Sequence, residues 1–356
     1  MNFDLTEDRQ MLSESLNRYL ADRYSLKDRN RIAHEAPFSD PERWGEMAEL
    51  GIPGALATEK DGGFGGAGFD ITVVFEALGR HLCPEPLLGT LLASLLLSAA
   101  GADQSGLVDG SIRYAVGLSE IDAPYGLAGT AATARKQGEG YRLSGRKSAV
   151  YGGQVADVFL IVALLDGKPA VFSAAAADVN VISYGMMDGG GAAELLLDDT
   201  PATLLLADAG AALTSAVAAG QVALCAEAVG AMTAAYDLLL DYLKTRRQFG
   251  TTIGSFQVLQ HRTVDLLAEI EQARSITIAA AAALDGAEAR LKSAMAKNLI
   301  GRAARLVAEE TVQMHGGIAM TWEYAASHYA KRLVMLDHQL GDTDHCLEIV
   351  MQSYAA

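Results

Sequence analysis

The sequence predicts an α+β protein in which helices come first, strands fill the middle and helices return at the end. Three observations predict this order. Apolar residues recur at helical spacing up to about residue 105, short alternating segments separated by Gly and Asp turns occupy 111–206, and long Ala- and Leu-rich runs follow. Strands and helices do not alternate along the chain, so the doubly wound parallel class is excluded.

These changes of pattern set the predicted domain boundaries. We expect an N-terminal α-helical domain over 1–110, a middle β-domain over 111–206 and a C-terminal four-helix bundle over 207–356. A chain of 356 residues exceeds one comfortable hydrophobic core, which also favours two or three packed subdomains.

Local signals justify individual elements in turn. Thr6 precedes an acidic first turn and is placed to cap the first helix. The Leu-rich stretch 87–102 stops short of a membrane span, so we expect a buried helix. The Gly-rich stretch 61–70 lacks the preceding strand of a dinucleotide fingerprint, which predicts a flexible loop between helices. The segments "GEG" (138–140) and "DGKP" (166–169) are typical of hairpin turns.

Charge and cysteine usage exclude several classes of partner. A formal net charge of −16 disfavours binding to nucleic acid and docking on an anionic membrane. It still allows an anionic small molecule wherever basic residues are concentrated locally. The three cysteines, Cys83, Cys225 and Cys346, are far apart and odd in number, and the N-terminus has no apolar secretory segment. We therefore expect a reduced, cytoplasmic setting.

One acidic and histidine-rich segment, 336–346, has the residue types of a metal site. It lacks a helical ligand pair and mixes ligand types without a recognisable geometry. We expect a turn that caps the last helix, or the mouth of a cofactor site, and no metal. A hydrolase triad is disfavoured because the chain has no GxSxG motif.

Two segments of the C-terminal helical region carry an unusual combination of residues. The first, "TRRQFGTTIGSFQVLQHR" (245–262), joins adjacent arginines to a Phe-Gly step and a Gly-containing turn; the second is "QMHGG" (313–317). Each alone has a plain structural interpretation. The arginines could lie on a solvated helix face, and the two glycines could close a helix C-terminus.

Together the two segments resemble the acyl-CoA dehydrogenase superfamily, in which RxxFG…Q and a later QxxGG bind the ADP half of FAD. The middle region supports the resemblance through "GLSE" (117–120) and "YRLSGRKSAVYGG" (141–153). Within the superfamily, the chain is most similar to small-subunit members of the pimeloyl-CoA dehydrogenase type.

The resemblance implies a set of FAD contacts. Arg246 would pair with the pyrophosphate and Phe249 would pack against the adenosine side. In the family these groups reach FAD that is held mainly by a neighbouring subunit. The full set of implied cofactor residues is Ser119, Arg246, Phe249, Gln257, Gln313, Gly316 and Gly317.

The catalytic base is not found where the resemblance places it. Removal of the α-proton usually falls to a glutamate at one of two positions, which correspond here to Leu340 and Gly220. Gln221 stands where an arginine would follow. Glu227, later in the same helix, is a weak candidate, and we favour a structural partner for it. A tryptophan that stacks on the flavin ring in the family corresponds to Ala149.

The predicted function is that of an FAD-dependent acyl-CoA dehydrogenase, which dehydrogenates an acyl-CoA thioester between its α and β carbons. Electrons would pass to an electron-transfer acceptor. The chain would act as a homo-oligomer, or as the small subunit of a heteromer with a longer acyl-CoA dehydrogenase homologue. Two alternatives stay open: a non-catalytic structural subunit that completes FAD sites on a longer homologue, and a flavin oxidase of the same fold.

Overall fold

The computed structural model describes residues 5–125 and 129–355, which pack as two compact units. The first unit contains Met1–Leu26, Thr72–Cys83 and Gln221–Ala356, and the second contains Lys27–Ile71 and Pro84–Gly220. The predicted domains follow changes of secondary structure rather than packing, and their boundaries stay a prediction.

Helices dominate both ends of the chain and strands dominate the middle, as the hydrophobic patterns predict. In chain order the helices are α1 (Glu7–Arg23), α2 (Leu26–His34), α3 (Pro41–Glu49), α4 (Gly68–Arg80), α5 (Leu87–Ala100), α6 (Ser105–Val108), α7 (Gly210–Thr245), α8 (Gln257–Ala282), α9 (Ala289–His315), α10 (Ala325–Asp337) and α11 (Thr343–Ala355). The strands are β1 (Tyr114–Gly117), β2 (Thr133–Gln137), β3 (Gly140–Tyr151), β4 (Val158–Leu165), β5 (Lys168–Ala175), β6 (Asn180–Gly185), β7 (Gly191–Leu206), β8 (Arg247–Gln248) and β9 (Thr251–Thr252).

Several local predictions are confirmed. The Thr6 hydroxyl accepts a hydrogen bond from the Arg9 amide at 3.4 Å and caps α1. Two-residue turns join β2 to β3 and β4 to β5 at the predicted positions. Helix α5 is buried along most of its length, as expected for the apolar stretch 87–102.

The strands of the second unit form one sheet that closes on itself. Strand β3 pairs antiparallel with β2 and β7, β5 pairs antiparallel with β7 and β4, and β4 meets β2 at Leu164 and Thr133. These pairings return to the starting strand, so the strands close a barrel, with β1 along β4 and β6 along β7. Its core includes the fully buried rings of Phe159 and Phe172. The sequence of strand β4 is a continuous run of apolar residues and does not alternate with polar ones. This fits its burial, since most of its residues are buried.

Helices α4 and α7 cross at backbone contact within the first unit. A Cβ atom at Gly79 would overlap the carbonyl oxygen of Glu227, and one at Gly230 would overlap that of Glu76. Larger residues are therefore excluded at both positions. The crossing fixes the part of α7 that carries Glu227.

Residues 62–67 of the Gly-rich stretch 61–70 form a loop, as predicted, and α4 begins at Gly68; the flexibility of this loop stays a prediction. The amides of Gly63, Gly65 and Gly66 donate hydrogen bonds of 2.9–3.0 Å to backbone carbonyls in segment 55–58. A side chain at Gly63 or Gly65 would overlap that backbone. The glycines therefore serve close packing between two loop segments.

Helix α7 is the one helix in the described part of the chain that is long and apolar enough to cross a membrane. However, 78% of its most apolar window is buried inside the protein. The core helix of a soluble protein has the same properties, so α7 is weak evidence for a membrane span.

Candidate cofactor and active site

The hairpin after α7 presents Phe249 to solvent. Phe249 and Gly250 form the two-residue turn between β8 and β9, and both have positive φ values, 55° and 81°. This turn geometry favours glycine and strains a bulky residue. Phe249 is nevertheless 90% exposed. Its ring contacts only one other ring, that of Phe256 at 6.1 Å between centroids, among the described aromatic pairs. Backbone outliers of this kind concentrate at binding sites.

Arg246 lies at the base of the hairpin. Its amide donates to the Tyr242 carbonyl at 2.8 Å, and its carbonyl accepts from Ile253 at 2.9 Å. The exposed guanidinium makes no ion pair or hydrogen bond with any of the described residues. Gln257, at the first position of α8, is also exposed. An unpaired planar guanidinium has the donor chemistry that a pyrophosphate requires, and Gln257 adds a neutral amide to the same segment.

The second predicted segment closes α9. Gln313 is exposed in the last turn, and Gly316, with φ of 70°, donates its amide to the Val312 carbonyl. This is the expected C-terminal glycine. Gly317 has no positive φ, and a Cβ there would have no neighbour within 4 Å, so the described packing does not require glycine. Its bare, exposed backbone allows close approach of a ligand.

Three rings bring these two segments to the same end of the helical unit. Tyr242 lies one turn before Arg246, and His315 immediately precedes Gly316. The ring centroids of Tyr242 and His315 are 4.7 Å apart, and those of His315 and Tyr324 are 5.2 Å apart. We name Tyr242, His315 and Tyr324 the aromatic bridge. The sequence prediction missed these residues, although the spacing of Tyr242 and Arg246 places them on one helix face.

Ser119 belongs to the second unit, whereas the other six predicted cofactor residues belong to the first. Its carbonyl accepts the Ser148 amide at 2.9 Å. The next residue, Glu120, forms an ion pair of 2.6 Å with the fully buried Lys147. Burial alone would raise the pKa of Glu120, but hydrogen bonds from Lys147 and from the amides of residues 131–132 lower it. The pair fixes the backbone of Glu120, which directly follows Ser119.

Ala149, which replaces the expected tryptophan, has a positive φ of 50°. Its amide faces the Glu194 carboxylate at 3.4 Å, and that carboxylate also accepts hydrogen bonds from Ser148 at 2.9 Å and Arg146 at 2.8 Å. Burial acts to raise the pKa of Glu194, but these donors lower it. The segment therefore holds a well-bonded carboxylate and no indole ring.

Leu340, one of the two positions expected to supply a base, contacts the residue that follows the other position, Gly220. The side-chain amide of Gln221, which follows Gly220 in α7, donates to the Leu340 carbonyl at 2.8 Å. Gln221 is 3% exposed and Leu340 is 9% exposed. Neither Gly220 nor Leu340 has a group that can accept a proton from carbon. We name this contact the Gln221–Leu340 corner.

The aspartates beside the corner already have structural partners. The Asp337 carboxylate accepts the Thr343 hydroxyl at 2.9 Å, and the Asp342 carboxylate accepts the His345 amide at 2.8 Å. Segment 336–346 therefore caps the last helix, as one of the two predictions for it stated. Among the described residues, no group of three or more His, Cys, Asp or Glu side chains is arranged to hold a metal ion.

Glu227 has the structural partner that the sequence favoured. Its carboxylate accepts the Arg332 guanidinium at 2.6 Å, and the two side chains are 7% and 14% exposed. The pair joins α7 to α10.

Lys297 holds the corner loop from α9. Its ammonium donates to the carbonyls of Leu336, Asp337 and Gly341 at 2.8, 2.8 and 2.9 Å. The side chain is buried, and burial lowers its pKa. Burial likewise raises the pKa of Cys225 to about 12 and that of Cys346 to about 11, so both thiols stay protonated.

Comparison with known protein families agrees with this geometry. The model described as "Acyl-CoA dehydrogenase, C-terminal domain" matches residues 210–354, and "Acyl-CoA dehydrogenase, N-terminal domain" matches residues 6–105. The chain belongs to the acyl-CoA dehydrogenase family. Its similarity to acyl-CoA dehydrogenase IpdE2 of Mycobacterium tuberculosis is 32% identity over 330 residues, which covers 92% of this chain and 91% of that protein.

Solved structures of the family share the whole fold. The structure described as "Tcur3481-Tcur3483 steroid ACAD G363A variant" has a TM-score of 0.90 at 28% identity, covering 98% of this chain and 99% of that one. The FAD complex of PigA has a TM-score of 0.90 at 25% identity, covering 100% and 99%. The predicted family, fold class and oxidoreductase class are thus confirmed. The roles of the individual site residues stay predictions.

Proposed function

We propose that this chain is the small subunit of a heteromeric acyl-CoA dehydrogenase and that it completes the FAD site of a longer homologue. One observation carries the proposal. Neither of the two positions where a glutamate base is expected, Gly220 and Leu340, carries a proton-accepting side chain, and Gln221, which follows Gly220, donates instead to the Leu340 carbonyl. The dinucleotide segments, by contrast, keep their predicted residues exposed.

The donor set fits the ADP half of FAD. Arg246 offers an unpaired guanidinium to the pyrophosphate, and Gln257 and Gln313 offer neutral amides. Gly317 offers backbone that the fold leaves bare, and Phe249 offers an exposed ring to the adenosine side. When bound, FAD supplies the hydride acceptor of the reaction. This chain's part is to bind and orient the dinucleotide end.

Loss of the base limits what the chain can do alone. A positioned general base typically contributes about 10²–10⁴-fold to the rate of proton removal. Gly220 and Leu340 cannot contribute it, and Glu227 is held by Arg332 at 2.6 Å. The base in the proposed heteromer is therefore a glutamate of the longer subunit.

The comparisons support a two-component enzyme. The structure that matches at 28% identity is described by a pair of proteins, Tcur3481 and Tcur3483, and as a steroid ACAD. For this chain we propose an acyl-CoA thioester as substrate, a separate electron-transfer protein as acceptor and a cytoplasmic location. The net charge of −16 is compatible with a soluble assembly of unlike chains.

Co-expression tests the proposal directly. The chain is purified alone and together with a longer acyl-CoA dehydrogenase homologue that carries a glutamate base, and each preparation is examined by size-exclusion chromatography and flavin absorbance. We expect flavin to co-elute with a complex of the two chains. Flavin bound fully by this chain alone would contradict the proposal.

A further inference from the structure

We propose that the aromatic bridge is a positioning device that sets the spacing between Arg246 and the Gly316–Gly317 backbone, and thereby the affinity for the dinucleotide. The inference rests on the proposed function for its ligand. It assigns a role to Tyr242, His315 and Tyr324, none of which is a fixed position of the RxxFG or QxxGG pattern.

The bridge is a closed triangle of rings, two from helices and one from the residue that precedes a third helix. Tyr242 lies in α7, His315 ends α9, and Tyr324 precedes α10. The third side of the triangle, between Tyr242 and Tyr324, measures 6.4 Å between centroids. All three separations lie in the range of attractive aromatic contacts. Displacement of one ring therefore disturbs the other two.

His315 is the fixed member of the bridge. Its side chain is 4% exposed, and Nδ1 donates to the Thr311 carbonyl at 2.8 Å, which sets the orientation of the ring. Burial lowers the pKa of His315, so the ring between the two tyrosines is uncharged at neutral pH. Because the oriented His315 ring is neutral, it can pack against both tyrosines without the free-energy cost of burying a charge.

Two members of the bridge are joined directly to ligand-facing residues. The Tyr242 carbonyl accepts a hydrogen bond from the Arg246 amide at 2.8 Å. The position of Tyr242 therefore fixes the backbone from which the Arg246 side chain extends. His315 is covalently followed by Gly316, whose φ of 70° turns the chain into the exposed glycine backbone. A shift of the bridge thus changes the distance between a cationic donor and a backbone donor of the same site. Such errors of position are costly for a bidentate ligand.

Hydrogen exchange of the full-length chain tests the coupling without any cofactor. We compare wild type with Tyr242→Leu, His315→Ala and His315→Phe. Tyr242→Leu should raise amide exchange in both 246–256 and 316–324, although the substitution lies in α7. His315→Ala should do the same, and His315→Phe should restore protection because it keeps a ring between the tyrosines.

FAD titration of the flavin-free heteromer provides the second measurement. Tyr242→Leu and His315→Ala should each weaken FAD binding about tenfold, and His315→Phe should bind within about twofold of wild type. The matched control is Tyr24→Leu, which removes a buried ring from the edge-to-face pair with Tyr19 at 6.4 Å. The control should leave both segments and the FAD affinity unchanged.

Two results would overturn the inference. One is exchange that rises only in α7 after Tyr242→Leu, and the other is unchanged FAD affinity in bridge variants when Arg246→Ala weakens it. If Arg246→Ala itself has no effect on FAD affinity, the proposed function fails instead. In that case the hydrogen-exchange measurement alone shows whether the bridge couples segments 246–256 and 316–324.

Discussion

Gln221 donates a hydrogen bond of 2.8 Å from its side-chain amide to the backbone carbonyl of Leu340. The two residues are 119 positions apart in the chain, yet they join the two places where this family's base is expected. Lys297 holds the same loop through the Gly341 carbonyl at 2.9 Å. The corner is therefore a structural junction of α7, α9 and the loop before α11, and it offers no general base.

The first prediction concerns the stability of this junction. Gln221→Met keeps the side-chain length but removes the amide N–H that donates to Leu340. The buried Leu340 carbonyl then lacks this hydrogen bond. We expect a loss of about 1–3 kcal/mol in the free energy of unfolding, measured by urea denaturation. Gln313→Met, at an exposed position, is the control and should change stability by less than about 0.5 kcal/mol. Equal effects of the two substitutions would contradict a structural role for the corner.

Arg246→Ala should weaken FAD retention by the co-purified complex. The pyrophosphate loses a charged, bidentate donor, whose contribution is about 1.5–3 kcal/mol. The control is Arg305→Ala, because Arg305 is 77% exposed and pairs with Glu309 in a surface ion pair of little energetic value. The measurement is flavin content per complex after gel filtration. Flavin content that is the same in both variants would remove Arg246 from the site.

Glu227→Gln separates a structural carboxylate from a base. Arg332 would keep a hydrogen-bond acceptor but lose its charged partner in a mostly buried pair. Removing one partner of a buried pair costs about 3–5 kcal/mol, and the amide should keep the loss at or below the lower end. We expect turnover by the complex to persist while the urea midpoint falls. Abolished turnover with unchanged stability would identify Glu227 as the base.

His81 predicts a pH dependence of stability. Its Nε2 lies 3.1 Å from the Asn17 amide oxygen, and burial, together with Arg80, lowers its pKa from 6.5 to about 4. Between these two values the unfolded chain binds a proton that the folded chain does not. The free energy of unfolding should therefore fall as the pH drops from 6.5 to about 4. This slope should flatten in His81→Gln and persist in the control His261→Gln, which alters an exposed histidine. An unchanged slope in His81→Gln would exclude His81 as its source.

Local signals account for the part of the fold that the sequence predicted. Sequence patterns predict three of these features: the cap at Thr6, the two hairpin turns and the buried α5. Each depends on residues that are close together in the chain. The two segments that carry the family resemblance, RxxFG and QxxGG, are also short and contiguous, and their role in binding a dinucleotide stays a prediction.

Contacts between distant segments account for the rest. A buried lysine such as Lys297 in an Ala-rich helix reads as a solvated residue until the carbonyls of 336–341 surround it. The Gly-rich loop packs against segment 55–58 through backbone hydrogen bonds, which no periodicity reveals. The contact between Gln221 and Leu340 could not be predicted from local sequence patterns either, because the two residues are 119 positions apart in the chain.

The division of labour between unlike chains is the central claim, and flavin-to-protein ratio with acyl-CoA turnover tests it most directly. Both quantities are measured for this chain alone and for the pair co-purified with a glutamate-bearing longer homologue. The account predicts little flavin and little turnover for the chain alone, and one FAD for each pair of unlike chains with full activity in the complex. Full flavin occupancy and fast turnover by this chain alone would contradict it.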